Sequence, residues 1–131
     1  LSNVVINSGD RRFSPSYTNS DLWFRSKLPG ASKSMKAYIV GRMNIQNREW
    51  MEEYFSKVPK LIEDHSGHFV VRGGDPAHLE GNEALPDAAF VLKFPSRAHA
   101  LGFWNSDEFK PLIKLRQTGS NLEAMVVDAL E

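Results

Sequence analysis

The sequence contains no cysteine, which excludes disulfides, thiolate nucleophiles and zinc–thiolate sites. It has no excess of charge: sixteen basic residues balance sixteen acidic ones, so no whole-molecule field favours nucleic acid or an anionic membrane. It has no long apolar run. A membrane-spanning helix needs ~20 consecutive apolar residues, and nothing here approaches that length. The first residues lack the continuous apolar segment of a secretory signal, and with the missing cysteine this leads us to expect a cytoplasmic protein. Several site motifs are missing too. No GxSxG elbow surrounds a serine, and Gly73-Gly74 has no following Lys-Ser/Thr pair to make a phosphate loop. His65, His68, His78 and His99 do not fall at HxH or i, i+4 spacing, so no metal site is expected.

What is present is a chain of 131 residues with 41% hydrophobic content, enough to bury one sizeable core. Residues 1–34 read as an irregular extension. Ser, Asn, Pro, Gly and basic residues dominate there, and Phe13, Tyr17, Leu22, Trp23 and Phe24 keep no sustained period. Leu22-Trp23-Phe24 is expected to anchor the extension on the main domain or on a partner subunit.

Residues 35–131 carry the patterns of a folded domain. Ala37 to Met43 alternates as a strand, with Ile39, Gly41 and Met43 on one face and Tyr38, Val40 and Arg42 on the other. Asn44 to Ser66 reads as a long helix: Trp50, Tyr54, Val58, Leu61 and Ile62 recur at three- and four-residue spacing, with Met51 and Phe55 widening the stripe. Asn44 or Asn47 is the expected cap, Pro59 is expected to kink the helix, and Gly67 to end it as a left-handed stop. His68 to Arg72 is a second strand that stops at Gly73-Gly74, and an extended run is expected to resume over 77–79. Ala88 to Phe94 is a third strand. Ser96 caps a helix over 97–105 and Ser106 a shorter one containing Pro111, and Asn121 to Ala129 makes the last strand.

Strand, helix, strand, strand, helix, strand is the split βαβ arrangement. The expected fold is therefore α+β and ferredoxin-like, a four-stranded antiparallel sheet with its helices on one face. The other face is half apolar, through Val40, Val70, Ala89, Val91, Met125 and Val127. A solvated face would not carry so many, which points to a homodimer packed sheet against sheet.

At this point the residues resemble a known family. From Met35 onward the chain is similar to domain-of-unknown-function family 1330, of the dimeric α/β-barrel superfamily. The likeness rests on Tyr54 with Val58-Pro59, Gly67, Arg72-Gly73-Gly74, Leu79-Glu80-Gly81, Phe94-Pro95-Ser96, Asn105-Ser106 and Arg116. The chain departs from the pattern at three places: Phe103-Trp104 replaces Trp-Tyr, Phe109 replaces a tyrosine, and Lys93 replaces an acid. The resemblance implies a ferredoxin-like dimeric α/β barrel. Its superfamily relatives run oxygenations, isomerisations and cyclisations without metal, and some bind haem.

The candidate chemistry follows. Arg72 beside Gly73 and Gly74 can hold a carboxylate or enolate bidentately, with loop amides as further donors; the plain alternative is an ion pair with Glu80. Arg116 can join it, or can be a helix C-terminal charge. His68 is the candidate acid–base group, against a surface histidine. Trp50, Tyr54 and Trp104 can line a pocket or simply pack the core. The expected activity is binding or transformation of a small anionic or aromatic metabolite without a cofactor, and the alternative is a non-catalytic dimeric module. A cavity of ~300 Å³ or more holding Arg72 and a histidine favours the first; a filled core with Arg72 tied to Glu80 favours the second.

Overall fold

The computed structural model describes residues 35–130. The expected N-terminal extension and its Leu22-Trp23-Phe24 anchor lie outside the described residues. The domain runs β1 (Ala37–Ile45), α1 (Met51–Asp64), β2 (His68–Gly73), β3 (Ala88–Phe94), α2 (Arg97–Trp104), α3 (Lys110–Gln117) and β4 (Ser120–Asp128). The strands form one antiparallel sheet in the spatial order β2-β3-β1-β4, the ferredoxin-like arrangement the element order implied.

Alternation puts Ile39 and Met43 of β1, Leu92 and Phe94 of β3, and Leu122 and Val126 of β4 on the side that packs against the helices. From α1, Tyr54, Val58, Leu61 and Ile62 close onto them; from α2 and α3 come Ala100, Phe103 and Leu112. Phe94, Phe103 and Phe109 stack in sequence, with ring centroids 5.6 and 4.4 Å apart.

Four local expectations are corrected. The first helix does not start at Asn44 and neither Asn44 nor Asn47 caps it, because the backbone there is committed to the sheet. Asn44 and Ile45 pair with Asn121 and Ser120, and the amides of Gln46 and Asn47 both donate to the Gly119 carbonyl, at 2.8 and 3.2 Å. The helix therefore starts after Trp50, whose indole donates to the Asn47 carbonyl at 2.8 Å. Its other end is a Schellman stop, but the left-handed residue is Ser66 (φ 69°) rather than Gly67. The Ser66 amide donates to the Glu63 carbonyl and the Gly67 amide to that of Ile62, both at 2.9 Å. Gly67 is needed for a different reason: a Cβ there would lie 2.4 Å from the Phe94 ring.

Third, no strand resumes over 77–79, and Gly74 to Asp87 is a loop. Arg42 donates to the Ala84 carbonyl at 2.8 Å, and the Asp87 carboxylate accepts from the Ile45 amide at 2.7 Å, so the loop's far end is tied to β1. Fourth, Ser106 heads a turn, accepting from the Phe109 amide at 3.3 Å, and the regular helix α3 starts only at Lys110. Ser96 caps α2 as expected, accepting from the His99 amide at 3.2 Å. Pro59 sits inside α1 without dividing it.

Candidate functional site

The site begins with an irregularity in β2. Phe69 pairs with Leu92, but Leu92's neighbour Val91 pairs with Val71, so Val70 is an extra residue in the ladder. In a regular strand Phe69 and Arg72, three apart, would face opposite sides of the sheet. The bulge absorbs one position. Phe69 and Arg72 both line the cavity on the helix side, while Val70 is 52% exposed. The positive φ angles of Gly73 (91°) and Gly74 (73°) then turn the chain away, a geometry that glycine adopts without steric penalty.

Arg72 makes no ion pair with Glu80. Its guanidinium lies over the rings of Phe69 and Phe55, at 5.2 and 5.4 Å from their centroids. It stands at a cavity of about 390 Å³ between the helices and the sheet. Phe90 contributes to the floor: it pairs across the sheet with Gly41, and its ring occupies the space where a side chain on Gly41 would lie, 2.4 Å from a Cβ built there. The wall from α1 is Trp50, Tyr54 and Phe55, joined edge to face at 5.3 and 5.1 Å through Tyr54. Trp104 and Phe109 close the inner end. Among the described residues, Arg48 and Arg72 are the charged members of this lining, and no acid and no histidine belongs to it.

Behind the inner end lies Arg116, 3% exposed. Its Nη1 donates to the Tyr54 hydroxyl at 3.1 Å, and its guanidinium faces the rings of Tyr54, Trp104 and Phe109 at 5.7, 5.8 and 5.9 Å. Its Nε has no hydrogen-bond partner. Burial pushes the Tyr54 phenol above its ordinary value of 10.0, while the charge and the hydrogen bond of Arg116 pull the other way.

The structure thus gathers Trp50, Tyr54, Trp104, Arg72 and Gly73 at one cavity, with Arg116 directly behind Tyr54; Gly74 lies in the adjoining turn. His68 does not join them. It is exposed at the start of β2 and is not part of the lining, and neither are His65, His78 and His99. His65 packs its ring 6.0 Å from Phe103, and His99 shares a 2.7 Å hydrogen bond with the Ser96 hydroxyl. Among the described residues no cluster of His, Cys, Asp and Glu forms a metal site. Sequence reasoning missed Arg48, Phe69 and Phe90 as cavity residues. Phe90 was legible from its pairing with a glycine; Phe69 was hidden by the bulge.

A family model described as "Domain of unknown function (DUF1330)" matches residues 36–130. No curated protein matches the chain. Among solved structures, the domain is similar to the RPA0582 protein of unknown function from Rhodopseudomonas palustris, at 16% identity and a TM-score of 0.64, over 88% of this chain and 96% of that one. It is also similar to SnoaB, a cofactor-independent oxygenase from Streptomyces nogalater, at 15% identity and a TM-score of 0.50, over 73% of this chain and 94% of that one. At these identities the likeness is one of fold.

Proposed function

The chain belongs to the DUF1330 family, whose description assigns no activity, and from that premise we propose that it binds or transforms a small anionic or aromatic metabolite in the cavity between helices and sheet, without a cofactor. The observation that carries this reading is Arg72. A guanidinium held over two aromatic rings at the edge of a 390 Å³ cavity, with no acid among the described residues of the lining, is a prepared counter-charge for a ligand carboxylate or enolate. Aromatic walls on three sides favour a planar apolar body. The fold likeness to a cofactor-independent oxygenase supports the wider class of chemistry without selecting the reaction. The reading uses no histidine.

A thermal-shift screen of aromatic and polyketide-like carboxylates tests it, comparing wild type with Arg72→Ala. Carboxylates that stabilise the wild type should lose most of their effect in the variant. Stabilisation that survives the substitution would remove Arg72 as the anion clamp.

A specific observation also supports the reading of a dimeric module. Val70, Met125 and Val127, on the sheet face away from the helices, are 52%, 62% and 36% exposed. A homodimer joined through that face would cover them, and it is compatible with a ligand site on the opposite side of the sheet.

A further inference from the structure

Arg116 brings a cationic guanidinium into the interior of the domain. Among the described residues it has no carboxylate partner. Taking such a charge out of water costs several kcal/mol, of which stacking on aromatic rings returns about 2 kcal/mol or more when desolvated. A helix C-terminal charge would sit in solvent and avoid that penalty, yet Arg116 is 3% exposed. The residue therefore requires another explanation, and its side-chain hydrogen bond to Tyr54 indicates where to look.

A guanidinium only donates, so in the Arg116–Tyr54 contact the phenolic oxygen is the acceptor. The phenolic proton must then point elsewhere. No acceptor among the described residues takes it, and Tyr54 lines the cavity. From these constraints we infer that the Tyr54 hydroxyl is a hydrogen-bond donor reserved for an oxygen of the cavity's occupant, with Arg116 as the positioning residue that orients and polarises it. The inference rests on the reading that the cavity holds an anionic aromatic ligand, and it adds a second polar pole to that ligand. One end is a carboxylate at Arg72; the inner end is a phenolic, enolic or carbonyl oxygen at Tyr54.

The charged surroundings select for negative charge on that oxygen. Arg116 approaches Tyr54 from α3, while Arg72 of β2 and Arg48 of the turn before α1 share its cavity; among the described residues no acid or histidine belongs to the lining. Burial moves the Tyr54 phenol further above its ordinary value, away from ionisation, so it donates to an oxyanion without competing for the same charge.

Binding of 2-naphthoate and of its ring-hydroxylated isomers tests the inference, followed by fluorescence and by the absorbance of the bound naphthol as a function of pH. In wild type at least one hydroxylated isomer should bind about tenfold or more tighter than 2-naphthoate, the scale of a hydrogen bond to a charged group, and its hydroxyl should ionise at lower pH when bound. In Tyr54→Phe the hydroxylated isomers should bind no tighter than 2-naphthoate does to the same variant, and the ionisation shift should vanish. Arg116→Lys should lose most of the ionisation shift of whichever isomer it still binds, which a merely structural residue would leave alone. If no isomer gains over 2-naphthoate in wild type, or if the gain persists in Tyr54→Phe, the inference is overturned while the cavity reading stands. If no naphthoate binds at all, both fall. Should Arg116→Lys fail to fold, Tyr54→Phe decides by itself.

Discussion

Arg72 and Arg116 are both guanidiniums with no acid partner among the described residues, but their surroundings differ in kind. Arg72 is exposed on one side and can be hydrated until a ligand arrives, so keeping it unpaired costs little. Arg116 is shut in by Tyr54, Trp104 and Phe109, and keeping it unpaired works against stability. Arg116→Met, which fills similar volume without charge, should leave the midpoint of urea unfolding unchanged or raise stability by up to about 2 kcal/mol. A loss of about 2 kcal/mol or more in that experiment would mean that the guanidinium holds the aromatic cluster together. Sequence reasoning named both arginines, because each falls at a position shared with a recognisable motif. It could not separate an exposed guanidinium from a buried one, since neighbouring residues in sequence say little about the burial of a last-turn side chain.

At the scale of elements, the sequence pattern located each strand and helix of the described residues, and the failures cluster where backbone donors were already engaged. Asn44 to Asn47 looks like the start of a helix, yet Gly119 takes two of its amides across the molecule, a partnership no local pattern records. The pairing of Gly41 with Phe90 is the element-level feature most closely tied to the cavity, since the ring lies over the glycine. Gly41→Ala should push that ring out of place and destabilise the domain by about 1–3 kcal/mol in urea unfolding, the usual penalty for overpacking. It should also weaken any ligand that Arg72→Ala weakens. Unaltered stability would mean that the ring swings aside freely and is not a fixed floor.

At the scale of the whole molecule, the antiparallel ferredoxin-like sheet was legible from element order alone, and the resemblance to the family agreed with it. The cavity was less so: its aromatic residues also read as core, and Trp50, 2% exposed, is both. The sequence also suggests the pairing of two copies through the apolar face of the sheet. Sedimentation of the wild type should give the mass of a dimer. Met125→Glu, which places a charge at a residue 62% exposed in the single chain, should give a folded monomer with an unchanged circular-dichroism spectrum. A wild type that sediments as a monomer at micromolar concentration would rule out the sheet-to-sheet dimer.

The extra residue in β2 has one more implication, which concerns length. Strands ordinarily tolerate neither loss nor gain of a residue, because every side chain beyond the change is transferred to the opposite surface. β2 already carries a surplus position at Val70, between a phenylalanine and an arginine that must share a surface. A chain one residue shorter there would run as an unbroken ladder and still present both. The spacing between Phe69 and Arg72 is thus free to drift by one over evolutionary time while the arginine keeps its station, and a gap at this point in a related sequence would be no sign of a lost site.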